Sequence, residues 1–254
     1  MPLMNDVSAQ DSQNTPHGFQ FSNMKIDLLG ASEYTIGVTV TDITGSTGGF
    51  FTDLIGVNKT VLEACRKHPK AENFLLRSTV FNSNIGVQEI HGFNPVNSID
   101  STIYDGIPSA GGCTPLMDAH LEACESLYQF GNQLAANQFT VNAVLFIITD
   151  GGENSSANRD IDVIKKIMAR LRNGDPLESF TAILIGVNDS YDRATLKQYQ
   201  VDTTIDEYKS IGEATPGNLA KMAQFISKSL STASQSLGGG SSKQLSSNIA
   251  SLTI

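Results

Sequence analysis

Two aspartates close apolar runs in this chain, and each is followed within three residues by glycine. Asp42 comes just after the run over residues 34–40 and opens the segment Asp42-Ile43-Thr44-Gly45-Ser46-Thr47-Gly48-Gly49; Asp150 comes after the run over residues 143–148 and opens Asp150-Gly151-Gly152. A third segment, Gly111-Gly112-Cys113-Thr114-Pro115-Leu116, offers a hydroxyl at a helix start. Carboxylates and hydroxyls are the ligands hard cations take, and magnesium asks for near-octahedral oxygen while keeping several waters. The alternation in Asp42-x-Thr44-x-Ser46 lets an extended-to-turn backbone direct three oxygens to one side, and the glycines relieve crowding where the chain bends. Asp42, Thr44, Ser46, Thr114 and Asp150 therefore form a candidate site for one divalent cation, Mg2+ or Mn2+.

The surrounding elements must bring these segments together. Residues 34–40, 140–149 and 180–187 read as buried strands. Residues 53–68 carry Leu54, Val57, Val61, Leu62 and Cys65 at helical spacing, and Pro69 marks the stop. Helices are also expected over 115–133 and 160–171, a short one over 194–199, and a last one from Thr215-Pro216. Residues 73–81 and 85–92 flank Asn82-Ser83-Asn84 as a hairpin, which makes one edge strand antiparallel. Residues 93–110 read as a loop over the active face, and 204–208 as a weak edge strand. Strands alternating with amphipathic helices predict an α/β fold: a doubly wound, mostly parallel, Rossmann-like central sheet with one antiparallel edge strand and helices on both faces. Such sheets place ligands at the carboxyl ends of their strands, which puts Ser46, Thr114 and Asp150 on one edge of the molecule.

With 254 residues and 40% hydrophobic content, the chain has enough material for one large domain. Residues 1–31 read as a polar amino-terminal arm, 32–231 as the domain, and 232–254 as a Ser/Gly-rich flexible tail containing Gly238-Gly239-Gly240. The net charge of −9 and the absence of any long basic run argue against a nucleic-acid partner. No apolar run is long enough to span a bilayer, and residues 1–21 lack the layout of a signal peptide. Three cysteines with neither disulfide nor zinc spacing fit a reducing, cytoplasmic setting. His17, His68, His91 and His120 are scattered. Glu153 and Asn154 read as solvated loop residues at the rim of the site.

Asp42-x-Thr44-x-Ser46, Thr114 within Gly-Gly-Cys-Thr-Pro-Leu, and Asp150 within Thr-Asp-Gly resemble the metal-ion-dependent adhesion site (MIDAS) of von Willebrand factor type A (VWA) domains, in the family's order and over about residues 32–231. The resemblance implies Thr44, Ser46 and Thr114 as hydroxyl ligands, Asp42 and Asp150 as direct or water-mediated ligands, and a position left for a partner's carboxylate. It departs from the family at Thr44, where serine is usual, and at Cys113, an insertion before Thr114. It implies a protein-binding module and not an enzyme, its partner a protein presenting an Asp or Glu. Taken singly, Asp42-x-Thr44-x-Ser46 reads equally as a helix-capping turn, Thr114 most simply as a helix cap, and Asp150 before two glycines also as the start of a turn. The chemical rival is a haloacid-dehalogenase-like phosphatase with Asp42 as nucleophile. That family needs a Gly-Asp pair in its later acidic loop and a lysine to balance phosphate; this chain has Thr149-Asp150 and no basic residue near the three motifs.

Overall fold

In the computed structural model, residues 10–173, 176–237 and 241–254 are described. The strands are β1 (Gln10–Asn14), β2 (Gln20–Met24), β3 (Glu33–Asp42), β4 (Phe74–Asn82), β5 (Gly86–Pro95), β6 (Thr140–Thr149), β7 (Ser179–Gly186) and β8 (Glu207–Ser210). They form one sheet in the order β1-β2-β5-β4-β3-β6-β7-β8. The helices are α1 (Phe51–Arg66), α2 (Leu116–Ala136), α3 (Ile161–Arg172), α4 (Arg193–Asp202), α5 (Pro216–Gln235) and α6 (Ser242–Ala250). β4, β3, β6, β7 and β8 are mutually parallel. This is the α/β architecture that the alternating pattern predicts.

Side-chain alternation along the central strands builds two cores. Val141, Ala143, Leu145 and Ile147 of β6 join Tyr34, Ile36, Val38 and Val40 of β3 in a core completed by α2, α3 and α4. Val144, Phe146 and Ile148 face the other way, into a core shared with α1, α5 and α6. On that second face β3 presents Thr35, Gly37, Thr39 and Thr41. A Cβ on Gly37 would come within 2.9 Å of Leu230 Cδ2, so the missing side chain lets α5 approach the central strand closely. With a core on each side, β3 and β6 have no solvated face and read as continuous apolar runs.

Four expectations change. β5 runs antiparallel to β4, as the hairpin spacing predicts, but it is not the edge: β2 pairs alongside it, parallel, and β1 pairs antiparallel to β2. Residues 10–14 and 20–24 of the expected polar arm are therefore strands, while residues 1–9 lie outside the described residues. An exposed edge strand can be polar throughout, as Gln10-Asp11-Ser12-Gln13-Asn14 is, because backbone pairing rather than burial holds it. The hairpin's apolar anchor is Phe21, fully buried and edge-on to Phe93 with ring centroids 6.0 Å apart. Gly92 permits the approach, since a Cβ there would lie 2.0 Å from the Ser22 carbonyl oxygen.

The expected flexible tail likewise contains structure. α5 continues to Gln235, and α6 starts on a Ser241 hydroxyl that accepts from the Gln244 N–H, with Leu245 and Ile249 buried; Gly238, Gly239 and Gly240 lie outside the described residues. Finally, residues 96–107 are not a loop over the strand ends. They pack along α1, where the Arg66 guanidinium donates to the carbonyls of Val96 and Ile99, Lys59 pairs with Asp105 at 2.5 Å, and Val96, Ile99, Tyr104 and Ile107 are buried.

Candidate functional site

β3 ends on Asp42 and β6 ends on Thr149, adjacent strands whose carboxyl ends open on the same edge. Asp42 is fully buried. Its Oδ1 accepts the Thr44 N–H at 2.8 Å, which turns the chain sharply after the strand, and its Oδ2 accepts the Thr149 hydroxyl at 2.6 Å. A single 3-10 turn over Gly45–Gly49 then carries Ser46 outward, closed by the Thr47 hydroxyl on the Thr44 carbonyl at 2.9 Å. Thr44 Oγ1 and Ser46 Oγ lie 3.1 Å apart, and Ser46 Oγ donates to Asp150 Oδ1 at 2.9 Å. Four of the five expected residues are thus joined in one chain of polar contacts, from Asp42 through Thr44 and Ser46 to Asp150.

Thr114 reaches the same edge by its loop. The Gly111 N–H donates to the Ile43 carbonyl at 2.9 Å, and the Gly45 N–H donates to the Gly112 carbonyl at 3.0 Å, so the two loops are laid side by side. Gly112 has φ +73°, and a Cβ there would come 2.7 Å from Ser83 Oγ; this glycine is required both by conformation and by space. The added residue Cys113 is held by reciprocal bonds with Ser83: its N–H donates to Ser83 Oγ at 2.8 Å and its carbonyl accepts the Ser83 N–H at 2.9 Å. The Thr114 hydroxyl is not part of the hydrogen-bond chain through Ser46 among the described residues.

Asn154 and Glu153 prove more than solvated rim residues. Asn154 Oδ1 accepts the Thr114 N–H at 2.7 Å, and the Asn154 N–H donates to the Thr114 carbonyl at 3.1 Å, a two-point clamp between the loops carrying Thr114 and Asp150. The Glu153 carboxylate accepts the Met117 N–H at 2.8 Å, in the first turn of α2, along with the N–H groups of Ser155 and Ser156 and the Ser156 hydroxyl. Thr149 is a residue that motif reading gives no role, and this pair is one that it leaves at the rim. Their signal was position: a hydroxyl immediately before the strand-end aspartate, and an acid and an amide within four residues after it.

Electrostatically the edge is negative and poorly solvated. Burial pushes the Asp42 carboxyl up to about 7 against its hydrogen bonds, with Asp150 adding repulsion. Asp150 is also raised, first by burial and then by Asp192, despite the Ser46 bond. Among the described residues no lysine or arginine hydrogen-bonds or ion-pairs with either aspartate. Nor do three or more His, Cys, Asp or Glu side chains gather anywhere among them as a metal-holding group; at this edge the remaining donors are hydroxyls. Two desolvated carboxylates with hydroxyls alongside, all oxygen and with no positive side chain, are the donor set that suits a hard divalent cation.

No protein-family model matches the chain, and no curated protein matches it. Solved structures do. The PilB minor pilin from Streptococcus sanguinis superposes with a TM-score of 0.54 at 14% identity, over 83% of this chain and 64% of that one. The pilus adhesin SpaC from Lactobacillus rhamnosus GG, in an open conformation, gives 0.53 at 13% identity over 87% and 34%. Proximal thread matrix protein 1 from the mussel byssus gives 0.50 at 16% identity over 78% and 46%. At these identities the likeness is one of fold. The present chain spans less than two thirds of the length of each.

Proposed function

We propose that this chain is a VWA-like module that binds a protein partner through a divalent cation, Mg2+ or Mn2+, and is not an enzyme. The observation that carries the reading is the run of contacts from Thr44 through Ser46 to Asp150, which joins two motifs 104 positions apart at adjacent strand ends. Thr44, Ser46, Thr114, Asp42 and Asp150 would hold the ion. When bound, the cation supplies a positive centre with room for a carboxylate from outside. Thr149 fixes one oxygen of Asp42, the Thr44 N–H fixes the other, and the Asn154 clamp sets where Thr114 stands. The partner's Asp or Glu is drawn from the sequence resemblance, and the fold shared with a minor pilin and a pilus adhesin supports an attachment role.

The binding reading is preferred over phosphoryl transfer because, among the described residues, no lysine or arginine hydrogen-bonds or ion-pairs with Asp42 or Asp150. A group stabilising phosphoryl charge would be needed beside them. Three free cysteines, two of them buried, support a reducing compartment. Among the described residues no helix is long and apolar enough to cross a membrane.

The test is thermal melting of wild type and Asp150→Ala with millimolar magnesium, with manganese and with chelator. Ligand bound only to the folded state adds about 2.7 kcal/mol at a hundredfold excess over the dissociation constant. Wild type is expected to melt higher with the ion and the variant to be indifferent to it. Identical responses of the two proteins would remove the metal site.

A further inference from the structure

Tyr191 lies on the loop between β7 and α4, directly before Asp192, and is 97% exposed, the most extreme among the four exposed large hydrophobic side chains of the described residues. Its loop is anchored on both sides. The Val187 N–H donates to the Thr149 carbonyl at 2.9 Å and the Asn188 N–H to the Gly212 carbonyl at 2.7 Å. Asp189, fully buried, accepts from the Tyr208 hydroxyl, from Ser210 Oγ at 2.7 Å and from Arg193 Nη2 at 3.1 Å. On the far side the Asp192 N–H returns to the Asp189 carbonyl at 3.1 Å, and α4 begins. The loop backbone is fixed by these bonds, and a tyrosine ring has only a few side-chain torsions to lose when a partner covers it.

Asp192, the next residue, ties this loop to the oxygen cluster. Its carboxylate oxygens lie 3.7 and 3.8 Å from where Cβ atoms on Gly152 and Gly151 would be, so the group faces the bare turn directly after Asp150. Among the described residues this carboxylate makes no hydrogen bond or ion pair. The adjacent cation, Arg193, is committed to Asp189 and to Ser210 Oγ at 2.9 Å.

We propose that Tyr191 and Asp192 form a cation-recognition pair, which reads a Lys or Arg on the same partner segment whose Asp or Glu engages the oxygen cluster. This rests on the metal-dependent reading above. A basic side chain can lay its stem or guanidinium plane on the Tyr191 ring and bring its head to Asp192. An apolar side chain covering the same ring would strand the Asp192 charge away from water, which is unfavourable. The net charge of −9 acts in the same sense, repelling a purely acidic segment at long range and tolerating one that carries both signs. The segment this surface fits therefore carries an acid for the strand-end site and a base for the β7–α4 loop.

The test is panning of a random linear peptide library displayed on phage against the full chain, in magnesium and in chelator. Wild type is expected to enrich peptides bearing both an acidic and a basic residue, in magnesium only. Tyr191→Ala, at an exposed position, and Asp192→Asn, at a half-buried one, each checked by its melting curve, should keep the acidic enrichment and lose the basic one. Individual clones should bind each variant roughly tenfold more weakly than wild type. Acid-bearing peptides without a base, or basic enrichment that persists in Asp192→Asn, would overturn the pair while leaving the metal-dependent reading intact. Enrichment indifferent to chelator and without acidic residues would overturn that reading itself, and with it the shared segment. Failure of wild type to enrich anything counts against both.

Discussion

The Thr149 hydroxyl donates to Asp42 Oδ2 at 2.6 Å and accepts the Gly151 N–H at 3.2 Å. One side chain at the end of β6 thereby fixes the carboxylate at the end of β3 and the turn that presents Asp150. The Asp150 carboxylate itself is held by Ser46, so the two acidic groups are positioned through hydroxyls and not by each other.

Thr149→Val tests that arrangement, because valine keeps the β-branched shape and the strand preference while deleting the hydroxyl. Residues that orient ligands without touching the metal typically change affinity by about 10–100-fold. A loss of that size in magnesium or manganese affinity is expected by calorimetry, with a cost of about 1 kcal/mol in chelator. Unchanged affinity would mean that Asp42 needs no orienting partner.

Asn154→Ala separates clamp from ligand. It removes the acceptor for the Thr114 N–H and leaves the backbone half of the clamp in place, at a stability cost of about 1 kcal/mol. Metal affinity should fall while chelator melts stay near wild type, and Thr114→Ala added to Asn154→Ala should cost little more affinity. Fully additive losses in the double variant would show that the two residues act independently.

Much of this was legible in the chain, and what was not has particular causes. β3, β6 and β7 are buried on both faces, so their apolar runs appear without any partner in view. The site motifs could be read because each sits at such a strand end or at a helix start. β2 was hidden because its inward positions are Phe21 and Asn23; a buried asparagine, whose side chain accepts from Gln13 at 3.2 Å, breaks the alternation. α6 was hidden because only Leu245 and Ile249 face the core, two residues in a Ser-rich stretch, although Ser241-x-x-Gln244 is a helix-start pattern. Thr149 and Asn154 act through partners more than 35 positions away, which spacing alone cannot supply.

Charge inside the fold gives a third expectation. Arg77 on β4 has a fully buried side chain, donating to both Glu122 oxygens at 3.0 and 2.6 Å and to Glu89 at 2.7 Å; Glu89 in turn accepts the Ser22 N–H and hydroxyl of β2. Arg77→Met leaves Glu122 uncompensated and should cost about 3–5 kcal/mol in denaturant unfolding, with much of it restored by adding Glu122→Leu. If the double variant is no more stable than the single, the loss lies in packing around Arg77 and not in the stranded charge.

The last expectation is a pH slope. His120 in α2 and His91 in β5 are buried and kept neutral; burial lowers them to about 3 and about 4, with Arg172 adding repulsion at His120. Above pH 6.5 both are neutral folded and unfolded, and neither costs anything. As pH falls below 6.5 the unfolded chain takes up these protons first, so stability declines by about 1.4 kcal/mol per pH unit for each histidine until the folded values are reached. The Asp42 carboxyl, held up to about 7, acts with the opposite sign, because its ionisation disfavours the folded state as pH rises from about 4 towards 7. That opposing contribution is common to wild type and to His120→Leu. In chelator, the difference between their unfolding free energies should therefore change by about 1.4 kcal/mol per pH unit between pH 6.5 and 4, the variant gaining relative to wild type as acid is added. Parallel stability profiles would show that His120 is protonated in the folded protein, its Nε2, which has no hydrogen-bond partner among the described residues, reaching solvent.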